Sequence, residues 1–481
     1  MIQKTLSSGE TVTAFPISTP QQLMYYMSLQ YGADYPINNI GSGYYWQGDM
    51  DFDVMRESIY EAIDRCDTMR LRFIPDEQYK VLQYVAPKTE IVIDTIDYSD
   101  MPLEEAHKKL GEIARGPVPM FNCEIHKISL VKLAENTNGI FFKLQHLAMD
   151  AFSTKVFLTD IMEIYLHKTQ GRAYPKPMRP YIPTLMSEFA YLKSEQYKID
   201  QQYWFDSLAK ESEPIYTDYM LKNRLKEQRK EHPEHRFADI HGGSPAADVL
   251  IFDMTAEETN KIMDMCDRES LSICAVLSMG VRTALSVFND NEEDVSFKMI
   301  VNRRGSIAEK KSGGIRINFF PMRSIISPDK TFKEAVEEIE NVQTEMYQHC
   351  NLSFMEMLAV RHKSMPADAK GDSTYDSVGL SYQPLMVIPN SDEETAKSAQ
   401  GVWYNNGASM IPLYLTVRHR ASDGGLEFVF EYKTDPNPKY DLQIFYKKLH
   451  TALLMGAENV NVKVGDILEK AAVTKEEREN A

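Results

Sequence analysis

An apolar run over residues 139–145, Gly-Ile-Phe-Phe-Lys-Leu-Gln, ends at His146, and Asp150 follows four residues later. Ala151, Phe152 and Ser153 then open a stretch with the apolar spacing of an amphipathic helix. That order calls for a strand that turns into a helix. It presents one imidazole at the mouth of a cleft, with a carboxylate holding the turn. The spacing His-x-x-x-Asp recurs at His235 and Asp239, inside a charged loop, and at His419 and Asp423, which ends in the hairpin turn Asp423-Gly424-Gly425. Only the copy at His146 has an apolar strand before it and a helix after it. Context singles it out.

A chain of 481 residues is long enough for two core-bearing lobes and too long for one ordinary compact domain. Its net charge of −17 argues against nucleic acid or an anionic membrane surface as the main partner, because both need a positive footprint. One segment, 221–236, runs the other way, with Lys222, Arg224, Lys226, Arg229, Lys230 and Arg236 against Glu227, Glu231 and Glu234. It reads as a solvated linker, with a docking patch for an acidic protein as the alternative. The N-terminus lacks the apolar core of a signal peptide. The longest apolar region, 271–288, is interrupted by Ser272, Ser278, Gly280 and Arg282, which suits a buried helix better than a membrane span. Five cysteines without a C-x-x-C pair fit reduced thiols in a cytoplasm and argue against a disulfide framework or a zinc site. His232, His235 and His241 crowd one charged segment that reads as a solvated loop. No phosphate-cradling Gly-rich loop, no Gly-x-Ser-x-Gly elbow and no metal-ligand cluster at a useful spacing is present.

Periodicity predicts, after an extended lead-in, a helix over 20–29, a strand over 39–47, a helix over 51–66 and strands over 69–73, 81–85 and 90–94. A helix near 103–114, strands over 123–133 and 139–145, and a helix over 153–166 complete the first half. A Pro-rich stretch at 175–183 punctuates the chain, and helical spacing resumes with Leu185, Phe189 and Leu192. The second half reads as a strand over 247–252, helices from Thr255, over 270–288 and over 332–349, and strands over 295–301, 377–382, 412–418 and 426–432. An α/β or α+β protein of two comparable lobes follows, 1–180 and 246–481, joined by connecting segments over 181–245.

Several separated segments resemble the condensation domains of nonribosomal peptide synthetases, within the chloramphenicol-acetyltransferase-like superfamily. Ser18-Thr-Pro-Gln21-Gln-Leu-Met24-Tyr25 is similar to the first motif of that family. Arg65-Cys-Asp-Thr-Met69-Arg70-Leu-Arg-Phe73 is similar to the second, with Cys66 where a histidine is usual. Gln145-His146-Leu-Ala-Met-Asp150-Ala151-Phe-Ser153 resembles the active-site motif His-His-x-x-x-Asp-Gly, with Gln145 for the first histidine and Ala151 for the glycine. Ser187-Glu-Phe189-Ala190 resembles the fourth motif and Gly314-Ile-Arg-Ile-Asn318-Phe-Phe-Pro-Met-Arg323 the fifth. Asn351 to Glu356 and Gly379 to Gln383 resemble later ones. The segments keep the family's order over nearly the whole chain.

The resemblance implies two acetyltransferase-like lobes in a V, with a central tunnel in which two carrier-bound substrates meet at His146. It implies acyl transfer from a thioester to an amine, with His146 as the base or positioning residue. Alternatives are an ester-forming relative with a hydroxyl acceptor, an epimerising relative, and a catalytically silent protein that recruits other synthetases. Asp150 is expected to brace the turn by pairing with an arginine. Arg65, Arg70 and Arg303 are the candidates, Arg70 foremost. Gln145, Ala151, Ser153, Arg303, Gly314 and Asn318 are expected along the tunnel, with 314–323 as part of its floor. Trp403-Tyr404-Asn405-Asn406-Gly407 lies where the family sends a segment across from the second lobe, and its aromatics suit packing. No bound cofactor or metal is expected. The donor arm is the phosphopantetheine of a carrier protein acting in trans, or coenzyme A.

Overall fold

The structure, a computed structural model, describes residues 1–32, 35–88, 91–209, 217–235, 244–364, 376–384 and 399–480. Among the described residues strands and helices mix throughout, and the strands form three sheets. The chain divides into two compact units. One comprises Met1–Ser194, Asn302–Ile317 and Met386–Gly407; the other comprises Glu195–Val301, Asn318–Leu385 and Ala408–Ala481. The division expected near 180–245 is thus not contiguous in sequence, because two later segments belong with the first unit.

The first unit carries a five-stranded sheet in the order Gln400–Tyr404, Asn39–Gln47, Thr137–Gln145, His126–Leu133, Asp94–Tyr98. The pairs are antiparallel except the last, Asp94–Tyr98 beside His126–Leu133. Thr137–Gln145 is central, and eight of its nine residues are buried. A strand covered on both faces reads as a continuous apolar run rather than an alternation, which is what residues 139–145 show. The extended lead-in is itself structured. Ile2–Thr5 and Thr11–Pro16 form a hairpin that continues through Lys80–Val85 to Leu71–Asp76 as a four-stranded antiparallel sheet.

One expected strand shifts. Residues 91–93 are not in a strand, which begins instead at Asp94. The Ile91 carbonyl accepts from the Tyr60 hydroxyl and the Ile93 carbonyl from Arg56 Nε, so helix Phe52–Arg65 takes the acceptors a ladder would need.

The second unit holds a six-stranded sheet in the order Ile317–Ile325, Asp294–Asn302, Val378–Gln383, Leu413–His419, Leu426–Lys433, Ala247–Met254. Against its core lies helix Ile273–Phe288, buried continuously from Ala275 to Phe288. The polar interruptions there are absorbed locally. Arg282 donates to the carbonyls of Glu293 and Ile326, and Ser278 donates to the Cys274 carbonyl. Among the described residues no single helix is long and apolar enough to cross a membrane.

Segment 400–407 closes one edge of the first unit's sheet. Gln400–Tyr404 pairs with Asn39–Gln47, and the Tyr404 hydroxyl lies 2.8 Å from that of Tyr45 and 2.7 Å from His107 Nδ1. Tyr404 packs in a cluster with Tyr45 and Phe141, whereas Trp403 is exposed. Tyr404→Phe removes the shared hydroxyl and leaves two buried or half-buried polar groups short of a partner. Denaturant unfolding is expected to show a loss of about 1–3 kcal/mol.

Candidate active site

The ladder between Asn39–Gln47 and Thr137–Gln145 ends with Asn39 opposite Gln145. One residue further, the His146 N–H donates to the Asn38 carbonyl at 2.8 Å, so the imidazole leaves the sheet from a fixed backbone. The Ala148 N–H closes the turn on the Gln145 carbonyl at 3.0 Å. Met149 then bridges to Gly314, and Asp150 caps helix Ala151–Gln170. The cap is reciprocal. Ser153 N–H donates to Asp150 Oδ1, and the Asp150 N–H donates to Ser153 Oγ, both at 2.8 Å.

Asp150 does far more than cap. Arg304 Nη1 lies 2.8 Å from its Oδ2 and Nη2 lies 3.0 Å from its Oδ1, in a two-pronged pair whose side chains are sealed from solvent. The Arg316 N–H adds a fourth donor, to Oδ2 at 2.9 Å. Burial opposes the carboxylate's charge, but the Arg304 guanidinium and the amides of Arg316 and Ser153 hold the carboxyl below its usual range.

The arginine expected to brace Asp150 is therefore not Arg70, nor Arg65 or Arg303. Arg70 donates to the carbonyls of Ala86 and Pro87. Arg65 pairs with Asp160 at 3.0 Å. Arg303 reaches Glu188 at 3.3 Å, and Glu188 in turn accepts from the Thr19 N–H and hydroxyl. Arg304 stands next to Arg303 in sequence and 154 residues from Asp150. Nothing in its spacing announces the pairing.

His146 is half-buried. Its Nδ1 is enclosed without a hydrogen bond of normal geometry, and Nε2 is not enclosed in this way. Burial pushes the imidazole below its ordinary value, against the pull of the Asp150 charge and nearby backbone carbonyls. Burial thus favours the neutral ring.

The residues expected along a tunnel have local partners. Gln145 is buried and donates to the Val118 carbonyl at 3.1 Å. Ser153 is spent on the helix cap, and Arg303 on Glu188. Asn318 lies in the second unit, where its amide donates to the carbonyls of Cys350 and Leu352. Ala151 is the half-buried first residue of the helix. Gly314 has a structural requirement. Its φ is +98°, its carbonyl accepts from Arg304 at 2.7 Å, and an added Cβ would stand 2.5 Å from the Tyr181 ring.

His232, Glu234 and His235 bring ligand-type atoms within 4.8 Å of one another. The two imidazoles stack face to face, with centroids 4.8 Å apart, so their in-plane lone pairs do not converge on one point. His241 and Asp239 lie outside the described residues.

Removing either member of the buried pair strands the other charge. Asp150→Ala and Arg304→Ala are each expected to cost about 3–5 kcal/mol. The double variant should cost clearly less than their sum. Denaturant titrations of the three variants check this, and additive losses would refute the coupling. Gly314→Ala, which forces both the backbone and Tyr181 to shift, is expected to lower stability by about 1–3 kcal/mol in the same assay.

A family model described as condensation domain matches residues 12–477. The chain is 22% identical over 446 residues to surfactin synthase subunit 1 of Bacillus subtilis (strain 168), covering 92% of this chain and 12% of that protein. It is 20% identical over 438 residues to tyrocidine synthase 2 of Brevibacillus parabrevis, covering 89% and 11%. The chain thus spans a small fraction of the curated relatives it matches. Among solved structures, the first condensation domain of the CDA synthetase superposes with a TM-score of 0.78 at 18% identity, covering 94% of this chain and 98% of that one. A mutant of the starter condensation domain of rhizomide synthetase, in complex with C8-CoA and Leu-SNAC, gives 0.77 at 16%, covering 94% and 96%. These likenesses show the chloramphenicol-acetyltransferase-like fold. Members of the family are acyltransferases that form amide bonds. A match over 12–477, with its histidine-bearing turn braced by buried charge, makes this chain a member of the condensation-domain family.

Proposed function

We propose that this chain transfers an acyl or peptidyl group from a thioester to an amine, with His146 as the base. The observation that carries the reading is the imidazole at the end of a buried strand, on a turn locked by Asp150 and Arg304. A proton on the enclosed Nδ1 leaves Nε2 with a lone pair toward an incoming nucleophile. The acceptor nitrogen attacks the thioester carbonyl carbon and gives its proton to Nε2. The carbon–sulfur bond then breaks, and the proton passes to the departing thiolate. An amide and a free thiol result.

The donor is read as an acyl group on the phosphopantetheine arm of a carrier protein, or on coenzyme A. Family membership supports the first. The starter domain in complex with C8-CoA supports the second by likeness of fold. Gln145, which stands in place of the motif's first histidine, turns its amide to the Val118 carbonyl and has no role in this step. Asp150 has no part in proton transfer here: all its acceptor capacity is committed to Arg304, Ser153 and Arg316.

Incubation of acyl-loaded carrier proteins with a panel of amines and alcohols, followed by intact-mass spectrometry, tests the reading. Loss of the acyl group with formation of an amide is expected, and an ester product would assign a hydroxyl acceptor instead. His146→Ala should lower the rate by about 10²–10⁴. Carrier binding without turnover, across a panel that includes a native acceptor, would mark a recruitment protein.

The pH profile follows from the lowered imidazole. The base is active above its folded value, which lies below the ordinary 6.5. Referred to the unprotonated fraction of the acceptor amine, kcat/KM is therefore expected to stay level through neutral pH and to fall on the acid side with a midpoint below 6.5. A midpoint at or above 6.5 would contradict the enclosed ring.

A further inference from the structure

A second set of hydrogen bonds reaches the His146 turn, and no step above uses it. Gln21 lies in the first turn of helix Thr19–Tyr31, and Gln83 lies in strand Lys80–Val85. Both side chains are fully buried. Gln21 Nε2 donates to Gln83 Oε1 at 2.9 Å and to the Leu147 carbonyl, one residue past His146, at 2.8 Å. Gln83 Nε2 donates back to Gln21 Oε1 at 2.9 Å and to the Pro16 carbonyl at 3.0 Å. Gln21 Oε1 also accepts the Ser18 N–H at 2.7 Å, half of the helix capping box.

The two amides have a single workable orientation. The Ser18 N–H only donates, and the carbonyls of Leu147 and Pro16 only accept. Flipping either amide would set donor against donor or oxygen against oxygen in a fully buried site. All four N–H bonds of the pair are used, so the pair is rigid. The same helix also supports the other side of the turn. Asn38, whose carbonyl holds the His146 N–H, donates its own amide to the Met24 carbonyl and the Ser28 hydroxyl. Two successive residues of the turn are therefore tied back to helix Thr19–Tyr31, His146 through its N–H and Leu147 through its carbonyl.

We propose that Gln21 is a positioning residue for His146. It fixes the turn through the Leu147 carbonyl, and Gln83 fixes the orientation of its amide. The kinetic part of this inference rests on the acyl-transfer reading above; the structural part does not. Gln21 touches no reacting atom. Its effect is on where the imidazole points, and a displacement of about 1 Å is enough to cost on the order of 10²-fold in rate.

The test is Gln21→Met, read in three ways on the full chain: melting temperature, kcat and KM for acyl transfer well below the transition, and the ring resonance of histidine-labelled His146. The resonance is assigned by its absence in His146→Gln. Expected are a fall in kcat of about 10- to 100-fold, a KM within about twofold, and a shifted His146 resonance with a changed titration midpoint. A lowered melting temperature with unchanged kcat and an unmoved resonance would assign Gln21 to stability alone and overturn the proposal. Gln21→Glu keeps the shape; ionised, it replaces both donors with an acceptor oxygen and adds a buried charge, and protonated it keeps one donor. It is read in the same three ways if Gln21→Met does not fold. If the unaltered chain transfers no acyl group, the functional reading fails by itself, and the His146 resonance still decides whether Gln21 positions the ring.

Discussion

One carboxylate and one guanidinium, Asp150 and Arg304, are sealed from water, and the geometry of the candidate site depends on their meeting. Taking both charges out of water costs several kcal/mol per ion, and attraction alone recovers that only if the remaining valences are satisfied. Here the carboxylate is. Oδ1 takes Arg304 Nη2 and the Ser153 N–H, and Oδ2 takes Arg304 Nη1 and the Arg316 N–H. One side chain thereby joins three things: the start of helix Ala151–Gln170, the segment Asn302–Ile317 and the turn that carries His146. The arrangement specifies a conformation as much as it stabilises one, because any rearrangement leaves an uncompensated charge in a dry interior.

The same logic recurs along that segment. Arg303 is matched by Glu188, Arg304 by Asp150 and Arg316 by Glu309, each arginine being buried. Three cations so close in sequence would repel one another in an apolar interior without three anions beside them. Close packing completes the fit. Gly314 exposes its carbonyl to Arg304 and its Cα side to Tyr181, leaving no room for a methyl group. Burial in turn favours the neutral form of the half-buried His146, on a turn that these contacts hold in place.

Much of this was legible in the sequence, for identifiable reasons. The continuous apolar run before His146 marks a strand covered on both faces. Asp150 followed three residues later by Ser153 marks a helix start, since a side-chain acceptor and a backbone donor at that spacing satisfy each other. The buried helix around Arg282 was recognisable because its polar residues are too frequent for a membrane and its apolar ones too dense for a surface. The partner of Asp150 was not legible. Arg65, Arg70, Arg303 and Arg304 are chemically equal in a sequence, and only chain folding over 154 residues selects the last. Gln145, Ser153 and Asn318 show the converse. Motif position does not announce that each of these side chains hydrogen-bonds to protein groups. The strand first expected over 90–94 failed for a related reason: side chains of a neighbouring helix claimed its carbonyls.

The central claim is that the Asp150–Arg304 pair, rather than local propensity, holds the His146 turn. Amide hydrogen exchange across residues 146–153 measures that directly. With the pair intact, the hydrogen-bonded amides of His146, Ala148, Asp150 and Ser153 should open only with global unfolding of their unit. In Arg304→Met they should exchange well ahead of the amides of helix Lys439–Glu458, which belongs to the other unit and shares none of these contacts. Unchanged protection of residues 146–153 in that variant would contradict the claim and return the turn to its own hydrogen bonds.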